Sequence, residues 1–330
     1  MDFKAQFKQQ LHRQPVDFTQ MALSLFRYQA ENNPVYKAYL KHLHCQPDQI
    51  NSLEQIPFLP IEFFKQQKVA TGDFEPEITF LSSGTTQQTR SKHYIADLNW
   101  YNANTKYIFE HFYGPLEQYV VLALLPSYLE QGGSSLVAMV DYFVKQTRQH
   151  EEGFYLHNHS KLLQSITKAR TRGKKVLLIG VSYALLNWAE KLKGKYDFSG
   201  VTIMETGGMK GRHREMVREE LHSYLKQGFG VDAIHSEYGM TELLSQGYSM
   251  GEGLFKAGQT MQTLLRDLND PFDIGSHHRS GGINVIDLAN VDSCAFIETK
   301  DIGRQHEDGS FEVLGRFDNS DIRGCNLLVV

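Results

Sequence analysis

Cysteine is scarce in this 330-residue sequence: Cys45, Cys294 and Cys325 stand far apart and are odd in number. That excludes a disulfide-stapled scaffold, and the missing CxxC or Cys/His spacing leaves no zinc motif to read. Reduced thiols in a cytoplasm are expected. No apolar run approaches the roughly 20 residues of a membrane span, and the opening MDFKAQFKQQ lacks the apolar stretch of a signal peptide. Positive charge is not in surplus either. The formal net charge is -4, so no global field recruits nucleic acid. The one basic cluster, KARTRGKK at 168–175, lies between a helical and a strand pattern and reads as a solvated loop. Repeats and low-complexity segments are missing. So are the phosphate-loop pattern GxxxxGK[ST] and the dinucleotide fingerprint GxGxxG.

What is there is a pattern of alternating elements. Residues 1–47 follow helical spacing, with Asp17 as an N-cap and Pro34 breaking the run. The segment IPFLPIEFFK (56–65) carries two prolines among apolar residues and reads as an extended, buried connector. Residues 96–113 are helical again. YVVLALLP (119–126) has the length and continuity of a strand buried on both faces. After QGGSSL (131–136) opens a further helix, strands and helices alternate. KKVLLIG (174–180) precedes SYALLNWAEKLKG, which ends at Gly194. GVTIMETGG (200–208) precedes HREMVREELHSYLKQG, with Val217, Leu221 and Tyr224 on one face and Gly228 as its cap. VDAIHSEYGMTE (231–242) is a third strand running into a polar loop.

From about residue 280 strand patterns dominate, with His306-Glu307-Asp308-Gly309 as a hairpin turn. The expected fold is α/β. An N-terminal helical segment (1–50) leads into a parallel-sheet body (51–280), and a β-rich part (281–330) follows.

Parallel sheets bind ligands beyond the carboxyl ends of their strands. Four polar loops qualify: SSGTT (82–86), ETGGMKG (205–211), SEYGMTE (236–242) and TKDIGR (299–304). Seven of the sixteen residues in FLSSGTTQQTRSKHYI (80–95) are Ser, Thr or Gly. Small side chains let backbone N–H groups approach phosphate oxygens, and hydroxyls add donors. Such a loop alone is more often a turn or a helix cap.

The order of these motifs says more. SSGTT, GG after a strand, EYGMTE, TKD and GRFD follow one another over about 235 residues. This series resembles the adenylate-forming superfamily of acyl-CoA synthetases, luciferases and peptide-synthetase adenylation domains. IPFLPIEFFK, LIGVSYALL (178–186) and DIRGC (321–325) are similar to the LuxE-type acyl-protein synthetases, the acid-activating component of bacterial bioluminescence reductase systems. The similarity runs from about residue 50 to the end.

The resemblance implies ATP and magnesium as cofactors and a carboxylic acid, of the fatty class, as substrate. Ser82, Ser83, Gly84, Thr85 and Thr86 would wrap the β- and γ-phosphates. The family continues with Gly, Pro and Lys, whereas here Gln87, Gln88, Thr89 and Arg90 follow, so either Arg90 or Lys92 meets the phosphates. Gly207 and Gly208 would border adenine and the acyl end, and Tyr238, followed by Gly239, would stack on the adenine. Thr241 and Glu242 form the catalytic loop, with Glu242 on the metal. Asp301 and Arg316 would hold the ribose, and Asp318 matches the hinge. Pro126, Ser127, Tyr128, Gly132, Gly133, Val181 and Ser182 are candidates for the acyl pocket. His93, His235, His277 and His278 show no spacing that demands a metal and read as surface or satisfied histidines.

Most relatives carry a small lid domain with a lysine after the hinge. Only twelve residues follow Asp318 here, so the lid is expected to be absent. Cys325, nine residues past Arg316, lies within reach of an acyl-adenylate, since an extended chain spans about 3.3 Å per residue. As a nucleophile it would take the acyl group as a thioester and pass it to a partner, an acyl-accepting reductase or acyltransferase. A buried, incidental cysteine is the plainer reading. Two others stay open: a phenylacetate-type CoA ligase in which Cys325 is idle, and an adenylate-binding subunit without catalysis.

Overall fold

A computed structural model describes residues 2–13, 17–83, 89–125, 132–149, 153–155, 158–192, 194–207 and 216–317. Within these the chain folds around one twelve-stranded sheet and a separate two-stranded hairpin.

The N-terminal helical pattern resolves into α1 (Phe3–Leu11), α2 (Phe18–Asn32) and α3 (Pro34–His42). Asp17 caps α2 by accepting from Gln20 N at 3.0 Å. Pro34 does not simply stop a helix. It is the first residue of α3, where its missing N–H costs nothing, and Asn33 caps it from Tyr36 N. The proline-bearing connector gives β1 (Leu59–Pro60) and a short α4 (Phe63–Gln66), with Phe58, Leu59, Ile61 and Phe64 buried. It is largely buried, as expected, but extended only as far as Pro60; from Ile61 it turns into the short α4.

The hairpin is β2 (Ile78–Leu81) and β3 (Lys92–Ile95). Helix α5 (Leu98–Tyr113), capped by Asp97, leads to β4 (Tyr119–Leu124), every residue of which is buried. Then come α6 (Ser135–Thr147), β5 (Gly153–Phe154), α7 (His159–Thr171), β6 (Lys175–Val181), α8 (Ser182–Leu192), β7 (Val201–Thr206), α9 (Arg218–Phe229) and β8 (His235–Tyr238). Strands β5, β4, β6, β7 and β8 lie side by side and pair in parallel. Their carboxyl ends therefore share one edge.

The face assigned to α9 needs correction. Val217 is the N-cap at 63% exposure and Tyr224 is 48% exposed, whereas Leu221, His222, Leu225, Gly228 and Phe229 are buried. Gly228 is interior to the helix, not its cap. A Cβ there would come within 2.5 Å of Ala189 Cβ, so glycine is what lets α9 lie against α8. Gly230, at φ +66°, makes the left-handed cap.

The antiparallel part takes in β9 (Gly247–Ser249), β10 (Leu254–Ala257) and β11 (Met261–Arg266) as well as β12 (Ser280–Asp287), β13 (Phe296–Gln305) and β14 (Phe311–Arg316). These strands extend the same sheet in the order β11-β12-β13-β14-β10-β9-β8, and β1 pairs in parallel with β13. The turn at 306–309 closes β13 onto β14 with Gly309 at φ +79°. No described helix is long and apolar enough to cross a membrane.

Candidate active site

Four segments converge at the carboxyl edge of the parallel strands. The first is the turn after β8. Tyr238 is buried, its ring packed edge-on to Phe255 and Phe311 at 5.9 and 5.4 Å, and its hydroxyl donates to Asp301 Oδ2 at 2.9 Å. Asp301 sits on β13 opposite Arg316 of β14, whose Nε lies 3.7 Å from Asp301 Oδ1. Burial pushes the Asp301 carboxyl up, while Arg316 and the Tyr238 hydroxyl oppose that shift. Arg316 itself is exposed. Tyr238, Asp301 and Arg316, separate in the sequence, thus form one chain of contacts.

The second segment is Thr241–Glu242. Glu242 is only 5% exposed. Burial raises its pKa, and Ser91, Arg316 and Lys65 of α4 pull the other way. Its backbone is bolted down: the Glu242 carbonyl accepts from Asn290 Nδ2 at 2.8 Å, and the Thr241 carbonyl lies 2.9 Å from His93 Nδ1. Burial lowers the His93 pKa to about 4, so it is neutral at ordinary pH and its Nδ1–H donates. Just beyond, the Asp287 carboxylate accepts from Leu244 N (2.7 Å), Ser245 N (3.0 Å) and Ser245 Oγ (2.6 Å).

The turn carrying Asn290 is in turn held by the N-terminal helices. Gln29 Nε2 donates to the Asn290 carbonyl at 2.8 Å, Asn33 Nδ2 to that of Ser293 at 3.1 Å, and Lys4 and Lys8 pair with Asp292 at 2.8 and 2.6 Å. No local pattern marks this role; it depends on pairs 260 or more residues apart.

The third segment is the root of the β2–β3 loop. Ser82 N donates to the Ser91 carbonyl at 3.1 Å and Ser91 N to Ser82 Oγ at 2.9 Å, while Leu81 N donates to the Gly133 carbonyl at 2.8 Å. Ser83 is exposed. Because Ser91 also serves Glu242, the Ser82 root and the Glu242 carboxylate are neighbours. Lys92 is exposed and pairs with Leu81 in the hairpin register. Gly84, Thr85 and Thr86 lie outside the described residues, as do Gly208, Asp318, Cys325 and the acyl-pocket candidates Pro126, Ser127 and Tyr128.

The fourth segment is the end of β7. Ser182 Oγ donates to Glu205 Oε2 at 2.7 Å and lies 2.8 Å from the Gly207 carbonyl, tying the exposed Gly207 turn to α8. Burial works against the Glu205 charge, but His222, Arg218, Ser236 and Ser182 outweigh it and hold the carboxyl below its usual range. Beside it, burial lifts Glu237 to about 7, even though Thr206 Oγ1 donates to it. Gly239 leaves room for the Glu237 carboxyl: a Cβ there would fall 2.3 Å from Glu237 Oε1 and force that side chain to shift. Gly132 and Gly133 line a mainly apolar cleft of about 340 Å³ with Ile78, Leu98, Val137 and Tyr142.

His235 lies 3.2 Å from the Tyr113 hydroxyl, so both His93 and His235 are satisfied histidines. Sequence reasoning missed Ser91, Lys65, Asp287 and Asn290. Each is an ordinary polar residue whose position matters only once distant segments meet.

No family model matches this sequence, and no curated protein matches it. Solved structures do. ATP-bound MatB from Rhodopseudomonas palustris superposes with a TM-score of 0.54 at 16% identity, over 72% of this chain and 47% of that one. O-succinylbenzoate coenzyme A synthetase (MenE) from Bacillus subtilis, in complex with AMP, gives 0.50 at 20% identity over 74% and 49%. The same enzyme in complex with ATP and magnesium gives 0.51 at 18% over 72% and 49%. These neighbours are adenylate-forming enzymes, and this chain spans about half their length. At such identities the shared property is the fold: this chain folds as the N-terminal body of an adenylate-forming enzyme.

Proposed function

We propose that this protein activates a carboxylic acid, of the fatty class, with ATP. Acyl-AMP and pyrophosphate form first, and the acyl group then passes to Cys325 as a thioester for delivery to a partner protein. The observation that carries the first step is the convergence of Glu242, Tyr238, Asp301 and Arg316 with the Ser82 root of a Ser/Thr/Gly loop on one strand edge.

In this reading the substrate carboxylate attacks the α-phosphorus and the bond to pyrophosphate breaks. Ser82, Ser83, Gly84, Thr85 and Thr86 hold the outgoing phosphates with backbone N–H groups and hydroxyls, and Arg90 or Lys92 adds charge. Arg316 lies exposed beside the partly buried Asp301 carboxylate, suited to ribose or the α-phosphate with Asp301 accepting ribose hydroxyls. Gly207, Gly208, Tyr238 and Gly239 wall the adenine. Such catalysis is positioning and charge neutralisation. A buried carboxylate oxygen suits a hard cation, so Glu242, with Thr241 beside it, fits magnesium, which when bound neutralises phosphate charge. The apolar cleft beside Gly132 and Gly133 suits a hydrocarbon chain.

In the second step the Cys325 thiolate attacks the acyl carbonyl and AMP leaves. Incubation with ATP, magnesium and a radiolabelled fatty acid tests it. The account expects hydroxylamine-labile label on the protein that is lost in Cys325→Ser while pyrophosphate release persists. Label unchanged in Cys325→Ser contradicts it.

A second reading has coenzyme A as the acceptor, favoured by the likeness in fold to MenE, a coenzyme A synthetase. It expects Cys325→Ser to form acyl-CoA at the wild-type rate.

A further inference from the structure

The loop joining β11 to β12 takes no part in anything above. It winds on its own hydrogen bonds. Asp267 Oδ1 accepts from Asn269 N and Asp270 N at 2.7 and 3.0 Å, Gly275 N donates to the Leu265 carbonyl at 3.0 Å, and His278 N to the Gly275 carbonyl at 3.3 Å. The result brings three donors of metal-binding type to one point. His277 Nε2 lies 2.9 Å and His278 Nε2 3.4 Å from the same oxygen, Asp273 Oδ1. The three ligand atoms all fall within 4.8 Å of one another. Donors at zinc-like distances of about 2.0–2.2 Å in a tetrahedron stand roughly 3.4 Å apart, so small side-chain rotations within this surface loop would bring the three donors onto one ion.

Sequence spacing hid this. Adjacent histidines at 277 and 278 match no zinc motif, and only the fold of the loop turns Asp273 toward both. Among the described residues it is the one group of three or more such side chains that converges in this way.

The donor set also selects the ion. Two imidazoles and one carboxylate suit zinc, cobalt, nickel or copper, whereas magnesium prefers all-oxygen surroundings. Access is open: the side chains of His277 and Asp273 are 61% and 49% exposed, and His278, at 14%, is the anchored member. Asp267 and Asp270 add negative charge within the loop, against the exposed cation Arg279.

We propose that Asp273, His277 and His278 bind one divalent transition-metal ion of the zinc class, with water completing its coordination. In the metal-free loop Nε2 of His277 donates to Asp273 Oδ1 at 2.9 Å and Nε2 of His278 to the Asp273 backbone carbonyl at 3.0 Å; on binding the ion takes the place of those protons, and each neutral ring carries its proton on Nδ1 instead. This site is independent of the nucleotide reading.

The test uses full-length protein stripped with a chelator and titrated with zinc by calorimetry, and with cobalt by visible absorbance. One ion per chain and a cobalt spectrum of low coordination number are expected. Asp273→Asn, which replaces the one anionic ligand by a neutral amide, should weaken binding, and His277→Ala/His278→Ala should abolish the cobalt spectrum. Far-ultraviolet circular dichroism of the metal-free variants should match wild type, since the loop is at the surface. No uptake of either ion, or unchanged uptake by the folded double variant, overturns the proposal.

Discussion

Tyr238 at the end of β8 and Asp301 in β13 are 63 residues apart in the chain, yet the phenol donates to the carboxylate at 2.9 Å. The bond ties the parallel half of the sheet to the antiparallel half at the point where Arg316 approaches Asp301. Tyr238→Phe keeps the ring between Phe255 and Phe311 and removes only the donor. A buried carboxylate left short of a partner costs about 1–3 kcal/mol. Urea unfolding should show that loss, and on the proposed function the KM for ATP should rise. Unchanged stability would mean that the hydroxyl contributes nothing to the join.

Gly228 gives a packing prediction. Its missing Cβ is what lets α9 meet Ala189, and the atoms in the way include the Ala189 carbonyl group at 2.8 and 2.9 Å, which is backbone. Gly228→Ala should destabilise by about 1–3 kcal/mol through overpacking, although alanine is the better helix former. Tyr224→Ala, on the exposed face, should stay within about 0.5 kcal/mol of wild type. Equal melting temperatures for the two variants would contradict this packing.

Glu237 makes stability depend on pH. Its carboxyl titrates at about 7 when folded, against an ordinary 4.5. Between those values the folded protein keeps a proton that the unfolded chain has released. Stability is therefore lost as pH rises through this window, by about 3 kcal/mol in all. His93 acts oppositely. Its pKa of about 4 lies below the ordinary 6.5, so stability is lost as pH falls from 6.5 towards 4. Glu237→Gln should remove the first slope, while the buried Asp287, raised to about 6, still opposes His93 at lower pH. The stability of the variant relative to wild type should grow from pH 4.5 to 7; a constant difference would show that Glu237 does not titrate there.

The fold was legible wherever burial imposes a period. The continuous apolar run of β4, the strand–helix alternation from β6 to β8, the Asp17 cap and the turn at Gly309 could all be read directly. The buried face of α9 was legible only at Leu221, because Val217 and Tyr224 lie on a solvated surface, while Gly228 and the polar His222 join Leu221, Leu225 and Phe229 in the contact. The candidate site was legible as motifs, and the fold brings Ser82, Tyr238, Glu242, Asp301 and Arg316 to one edge. Its support was not legible. Asp287, Asn290 and Gln29 hold the Glu242 turn through contacts 42 to 261 residues apart, and no local pattern marks them.

If Asn290 positions Glu242, truncating it should impair the site without touching it. Asn290→Ala removes the 2.8 Å bond to the Glu242 carbonyl. A folded variant should bind magnesium-dependent nucleotide more weakly, while His277→Ala, remote in function, should not. Identical nucleotide binding in all three proteins would remove Asn290 from the account.

The central claim is adenylation, and carboxylate-dependent exchange of pyrophosphate into ATP tests it most directly. Purified protein, magnesium and a mixture of fatty and aromatic acids would be compared with Glu242→Ala. The account predicts exchange that requires an acid and is lost in Glu242→Ala. ATP binding without exchange for any acid, or exchange that survives in Glu242→Ala, would contradict it.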